Sequence, residues 1–369
     1  MTTPIAEIAE AAETVARTSR QSIARMQNRG LVIQTAFPGD VILTTPLIRR
    51  AAERTGAPVD VVVIPAAAPV LQNNPHIRDI IIFDKQGADR GLGGFWRLAR
   101  KLKTRRYGTA YLAQGSLRTA LLAFVARIPR RIGYAREGRT LLLTDAIPVP
   151  RPGEIPAHQR YYYLELLRRA GLIDALPECA EIRLRADPEA GYSLLRDFGL
   201  RSGRVIGVSP GAQNSQAKQW LPERFAAVAS KLAEEWEAEV ALFGTAAERE
   251  LCGLIAELIG PQAHNLGGRT TLGQFLDLAA ACLTFVTNDS GSMHVAAAVG
   301  TPTVAVFGPT NVEATGPSSS LARVVRIPVE CSPCEHRRCP IDHRCMTRVE
   351  PEMVLAAALT LHGHAKQDH

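Results

Sequence analysis

No apolar run in this chain approaches the ~18 residues that a bilayer-spanning helix needs; the most apolar stretch, 58–71, is broken by Asp60, Pro65 and Pro69. The phosphate loop GxxxxGK[ST] is missing, as are the GxSxG elbow and any GxGxxG turn after a first strand. These absences disfavour a P-loop nucleotidase, an α/β-hydrolase and a dehydrogenase in turn. Gly91-Leu92-Gly93-Gly94 stands before an expected helix, but in the wrong context for dinucleotide binding. The first residues, Met1 to Glu7, have neither the basic start nor the apolar core of a signal peptide. Aromatic residues make up only 5% of the chain, and no aromatic platform interleaves with its basic residues, so nucleic acid is not an expected partner. The reading so far is a cytoplasmic globular protein.

What is present begins with size. At 369 residues, 46% apolar and 21% charged, the chain is too long for one core and ordinary enough in composition for two. The net charge of +7 is unevenly spread: from 85 to 139, fourteen Lys and Arg face only Asp89 and Glu137. Arg97, Arg100, Lys101, Lys103, Arg105 and Arg106 fall within ten residues. A short basic run is usually a solvated helix face. An imbalance this large favours an acidic partner, either a phosphorylated substrate or an anionic membrane face.

Four of the seven cysteines, Cys331, Cys334, Cys339 and Cys345, lie in one short segment with His336 and His343. A large intracellular chain argues against a disulfide frame. Two readings stay open: a structural zinc held by four thiolates, or reduced, packed thiols. A catalytic metal is not expected there, since four protein ligands would leave no open position.

Residues 1–28 form an extension with apolar positions at roughly helical spacing, either a docked helix or a membrane-surface one. From residue 31, strands and helices alternate. Strands are expected at 31–36, 59–64, 79–83 and 110–113, with helices at 41–54, 95–104, 117–126 and 158–170. After a crossing segment at 177–201 the alternation resumes. Strands are expected at 205–208, 239–243, 283–287 and 303–307, with helices at 222–235, 246–259, 272–280 and 293–299. The fold class is α/β: two doubly wound Rossmann-like domains, 29–178 and 179–352, face each other across a cleft, with a C-terminal helix and tail at 353–369.

The most informative stretch is Asn288-Asp289-Ser290-Gly291-Ser292-Met293-His294, a polar turn between a strand and a helix. Asp289 or Ser290 can cap that helix, and Gly291 lets a ligand approach the backbone. The free N–H groups and positive dipole end of the first turn suit a phosphate. The alternative is an ordinary capped helix. The first strand of the first half ends in Phe37-Pro38-Gly39-Asp40, where Asp40 is either a plain N-cap or a general base aimed into the cleft. In the second half, Lys218 sits in a polar loop just before Pro222 opens a helix, placed to meet a phosphate.

Four segments together resemble a known family. They are GDVILTTP at 39–46, the PGA and AKQWLPERF parts of 210–225, FGTAAERE at 243–250, and NDSGSMHVAAAVGTPTVAVFGPT from Asn288. Over about residues 30–358 the chain resembles the ADP-heptose:lipopolysaccharide heptosyltransferases of glycosyltransferase family 9, and 331–346 resembles the heptosyltransferase II branch. The resemblance implies a GT-B enzyme that moves a heptose from ADP-heptose to the lipid-linked, acidic inner core of lipopolysaccharide, with inversion and without a metal. It needs no cofactor beyond the sugar nucleotide. The work would be done in the cytoplasm, peripherally at the inner membrane. Asp40 takes the place of the catalytic base, Gly39 beside it takes an acceptor-binding place, and Arg118 is the first candidate acceptor contact in the basic region. Gln213, Asn214, Lys218, Glu248, Thr270, Asp289, Ser290, Gly291 and His294 take the donor-binding places, with Glu250 competing with Glu248. Pro38 and Leu43 depart from the family pattern. Rival readings are another nucleotide sugar or acceptor, an epimerase or hydrolase on the same frame, and a non-catalytic sugar-nucleotide binding protein.

Overall fold

The computed structural model describes residues 29–365 apart from Ser202 and Asn214, so the extension expected over 1–28 lies outside the described residues. Two parallel six-stranded sheets organise what is described. The first contains β1 (Gly30–Ile33), β2 (Val59–Val63), β3 (Ile77–Ile82), β4 (Thr109–Leu112), β5 (Arg130–Tyr134) and β6 (Asp145–Ile147), in the order β3-β2-β1-β4-β5-β6. The second contains β7 (Val205–Ser209), β8 (Glu239–Leu242), β9 (Ala263–Asn265), β10 (Thr284–Asn288), β11 (Thr303–Val306) and β12 (Ala322–Val325). Its order, β12-β11-β10-β7-β8-β9, is the same winding counted from β7. Every residue of β1, β2, β7, β10 and β11 is buried, as parallel strands covered on both faces must be. In each sheet the order reverses between the first strand and the fourth. The loops leaving the carboxyl ends at β1/β4 and β7/β10 therefore diverge and open a crevice.

The expected alternation is present, and the strands β5, β6, β9 and β12 add to it. The helix expected over 41–54 is two helices, Pro38–Leu43 and Thr45–Thr55. Pro46 has no N–H to give the Ile42 carbonyl, and the Thr45 hydroxyl takes that acceptor at 2.7 Å. The 91–94 glycines do not precede a helix but form the first turn of Gly91–Thr104. The crossing segment contains the helix Pro188–Asp197, capped by Asp187. It packs on Leu272–Ala280 so closely that a Cβ at Gly191 would fall 2.1 Å from the Asp277 carbonyl oxygen. The helix Pro351–Ala365 packs against the second sheet, and His362 stacks on Trp236.

The lobes touch beneath the crevice. Pro38–Leu43 lies against the helix Gly291–Ala298, and the turn Pro65–Leu71 against Leu272–Ala280. One apolar core runs from Val41, Ile42 and Val70 into Phe275, Leu278 and Val295.

A buried charge network stiffens the first sheet. Asp60, fully buried in β2, accepts from Arg78 at 2.9 Å, from Arg105 at 3.1 Å and from the Tyr107 hydroxyl. Burial pushes its carboxyl up, but Arg78, Tyr107 and Arg105 outweigh that and hold it below the usual carboxylate range. Asp60→Ala leaves those donors without their acceptor and is expected to lower stability by about 3 kcal/mol. The check is a drop in the urea midpoint at constant slope; an unmoved midpoint would mean the network contributes nothing net.

Candidate active site

A cavity of about 760 Å³ opens between the lobes where the loops leaving β1, β7, β8, β10 and β11 meet. Gly39 and Asp40 line it from the first lobe. Gln213, Lys218, Glu248, Thr270, Asp289, Ser290, Gly291 and His294 line it from the second. Asn214 lies outside the described residues. Arg118 stands apart, exposed, with its guanidinium 5.0 Å over the Phe83 ring and outside the cavity lining.

On the second lobe, Asn288 ties two loops together. Its side-chain N–H donates to the Pro210 carbonyl at 2.6 Å, and its oxygen accepts the Trp220 N–H at 3.0 Å. This bond pair holds the Lys218 turn beside the start of Gly291–Ala298. Ser290 occupies the N-cap position there, but its hydroxyl makes no capping bond and lies 3.3 Å from the Thr287 hydroxyl. Asp289 does not cap either: Oδ2 receives Lys218 Nζ at 2.7 Å and the Thr310 hydroxyl at 2.6 Å. The first-turn N–H groups are thus left without a side-chain acceptor, and a Cβ on Gly291 would meet nothing within 4 Å. Such an end suits a phosphate oxygen. His294 is only 8% exposed, and burial holds its imidazole down to about 4, with Asp289 offsetting only part of the shift. At neutral pH it is an uncharged hydrogen-bonding group.

Glu248 and Glu250 separate cleanly. Glu250 is exposed and does not line the cavity. Glu248 accepts the N–H and hydroxyl of Thr245 at 2.8 and 2.9 Å through Oε2. Its other oxygen lies 2.0 Å from where a Cβ on Gly211 would fall, so only glycine leaves that carboxylate its place.

On the first lobe, Asp40 is not an N-cap. Phe37 holds the cap position of Pro38–Leu43, with no side-chain cap, and Asp40 stands two residues inside the helix start. Its carboxylate accepts Gln159 Nε2 at 3.1 Å, and the same amide donates to the Tyr163 hydroxyl at 3.2 Å. Gln34 Nε2 donates to Tyr163 at 3.2 Å and to the Thr44 hydroxyl at 2.7 Å, and Thr44 donates to the Asp40 carbonyl at 2.7 Å. The ring of contacts closes on Asp40. Burial raises the Asp40 pKa and the Gln159 bond offsets part of the rise. Burial, with the Asp40 charge adding to it, pushes Tyr163 up to about 12, so the phenol keeps its proton. Gly39 brings the lobes together: a Cβ on it would lie 3.9 Å from the His294 ring.

Sequence reasoning missed several lining and supporting residues. Thr310 follows β11 and could have been found as another strand-end loop. Gln159 belongs to no motif, and only packing reveals it. The neighbours of Gln159 reach the other lobe: His158 Nε2 lies 2.9 Å from the Gly316 carbonyl oxygen, and Arg160 bonds the Ser318 hydroxyl.

The cysteine segment also serves this site. Ala217 N–H donates to the Arg337 carbonyl at 3.1 Å, His343 Nε2 sits 2.7 Å from the Ala217 oxygen, and Glu335 and Arg337 line the cavity. Cys331, Cys334, Cys339 and Cys345 are free thiols around a second cavity of about 250 Å³ that His336 and His343 share. Burial and the neighbouring Cys331, Cys339 and Cys334 push the Cys345 thiol up to about 11. Among the described residues no three His, Cys, Asp or Glu side chains are grouped to hold a metal ion.

Two nucleotide-fold lobes, one offering an open helix start and the other a carboxylate, make up the GT-B frame of a glycosyltransferase. The model of glycosyltransferase family 9 (heptosyltransferase) matches residues 95–344. The lipopolysaccharide heptosyltransferase 2 of Salmonella typhimurium is 34% identical over 307 residues, 80% of this chain and 87% of that one. The solved structure of E. coli ADP-heptose lps heptosyltransferase II is similar at a TM-score of 0.78 and 30% identity, covering 92% of this chain and 99% of that one. A glycosyl transferase family 9 structure from Veillonella parvula gives 0.79 at 24% identity over 91% of this chain and 97% of that one, a likeness of fold. The chain belongs to glycosyltransferase family 9.

Asn288→Ala leaves the Pro210 carbonyl and the Trp220 N–H buried and unpaired, an expected loss of roughly 3 kcal/mol. Hydrogen exchange checks it locally: amides of 210–220 should exchange faster than in the parent, and unchanged protection there would remove Asn288 from the role given.

Proposed function

We propose that this chain transfers a heptose from ADP-heptose to the lipid-linked inner core of lipopolysaccharide, working in the cytoplasm as a peripheral protein of the inner membrane. One observation supports the reading most: the Asp40 carboxylate and the open start of Gly291–Ala298 line a single cavity from opposite lobes. The donor and acceptor follow the names of the heptosyltransferase 2 relatives.

In the proposed reaction the diphosphate rests on the first-turn N–H groups beside Lys218, which Asp289 holds in place. Glu248 and Thr270 hold the nucleoside, while Gln213, Asn214, Asp289 and neutral His294 hold sugar hydroxyls. Asp40 takes the proton of an acceptor hydroxyl as that oxygen bonds to the anomeric carbon. The bond to the diphosphate breaks on the opposite face, inverting the centre. The charge that grows on ADP is met by Lys218 and the helix amides without a metal ion. Fixed donors of this kind are worth roughly 10²–10³ in turnover each, and general-base help about 10²–10⁴. Burial raises the Asp40 pKa, which makes its carboxylate a stronger base than one in water.

Asp40→Ala should abolish transfer while ADP affinity, read by calorimetry, stays near that of the parent. Turnover that survives the substitution removes the base assignment. Because the base must be ionised, kcat/KM should fall as pH drops through a value above the usual carboxylate range. Gln159→Leu removes an N–H that favours the charged form of Asp40, so that acid limb should move to higher pH as kcat falls. A pH profile that does not move would leave Gln159 a packing residue.

A further inference from the structure

The outer layer of the first lobe carries a surface that the transfer chemistry does not use. The helices Gly91–Thr104 and Leu117–Val125 lie side by side and bury their inner faces in one core, with Phe95, Leu98 and Leu102 from one and Ala120, Leu122 and Ala123 from the other. Their outer faces repeat large apolar residues at helical spacing, Leu92 and Trp96 on the first and Leu117, Leu121 and Phe124 on the second, all exposed. Leu92 is 78% exposed, Trp96 58%, and Leu141, on the adjoining turn Thr140–Leu142, 95%. Single exposed leucines are normal, but a layer of them marks a contact surface.

The charges around this layer are mainly positive, with Asp84, whose carboxylate accepts the Gly87 and Ala88 N–H groups at 2.9 and 3.1 Å, the exception. Arg105 and Arg130 are paired with Asp60 and Asp145, and Arg139 is buried on the Tyr134 and Gln114 carbonyls. Asp89 and Glu137 are occupied as well, by Arg97 and Arg136. Arg100, Lys101, Lys103, Arg106 and Arg127 are left exposed and outside any ion pair among the described residues. We infer that this face docks on an anionic lipid bilayer. A second copy of the chain seated symmetrically on it would set these cations against their own likenesses. Trp, Leu and Phe beside Lys and Arg instead match the boundary between acyl chains and acidic headgroups. The two helices start at the sheet edge where β3 and β4 end, the same edge from which Phe37, 65% exposed, leaves β1 to line the cavity. The docked face therefore runs up to the cleft rim on the Asp40 side, where a lipid-anchored acceptor would enter. The inference rests on the proposed function for what is delivered, not for the docking itself.

The test is flotation of the full chain with phosphatidylcholine vesicles, with and without phosphatidylglycerol. The parent should bind only the anionic vesicles. Trp96→Ser with Leu121→Ser should weaken that binding more than about tenfold, and Lys101→Glu with Lys103→Glu by about fivefold per charge removed. Both variants should keep the parental melting temperature and full transfer to a deacylated, water-soluble acceptor. Failure of the parent on that acceptor would sink the proposed function while leaving the vesicle result standing. The docking inference is overturned if the parent binds neither vesicle, if the variants bind as well as the parent, or if light scattering shows a dimer that Trp96→Ser with Leu121→Ser splits.

Discussion

The site depends first on a single buried carboxamide. Asn288 is fully buried at the end of β10, and both ends of its side chain are used, one by the loop after β7 and one by the amide of Trp220. Buried amides are strongly held because neither end has water to fall back on. Trp220 is itself buried and donates to the Val349 carbonyl at 3.0 Å, so the clamp runs on into the C-terminal part of the second lobe. With that clamp set, Lys218 and the start of Gly291–Ala298 share one geometry and need not find each other when a ligand arrives. Preorganised donors of this kind lose little on binding, which is where their strength lies.

The electrostatics divide along the same line. On the second lobe burial discharges His294, while Lys218 and the helix start supply the positive side. On the first lobe Asp40 is half-buried, touched by an uncharged amide and, among the described residues, with no cation bonded to it. A cation at that place would lower the carboxyl and weaken it as a base. The glutamine orients the carboxylate without quenching it, which is the difference between a structural acid and one fit to accept a proton.

Much of this was legible in the sequence, for physical reasons that can be named. The buried strands are short runs rich in β-branched residues, and the turn from Asn288 to His294 announces itself by placing small and polar residues between two apolar elements. Asp40 was found because a glycine and an acid follow a strand. The sequence did not reveal that Asp40 is not a cap, because an aspartate suits both the N-cap and the first turn of a helix, and here the two positions lie three residues apart. It could not reveal Gln159, which lies over a hundred positions away and reaches Asp40 only because the helix Gln159–Arg169 packs beside Thr45–Thr55. Nor could charge counting separate Arg105, Arg130 and Arg139, tied into the lobe, from the cations left on its surface.

The proposed base, Asp40, and the contact between the lobes are joined by three consecutive residues. His158 and Arg160 hold the segment at Gly316 and Ser318 of the second lobe, and Gln159, between them, holds the Asp40 carboxylate of the first. The segment at 316–318 follows Thr310, whose hydroxyl bonds Asp289 beside Lys218. A rotation that opened the cleft would pull His158 and Arg160 from their partners and shift the backbone that carries Gln159. The ring through Tyr163, Gln34 and Thr44 would then hold Asp40 by its main chain alone. In the proposed reaction, the carboxylate is aimed at its acceptor only while the second lobe is closed over it. The same motion that admits a donor would withdraw the base, and water entering an open cleft would meet an activated sugar with no acceptor for its proton.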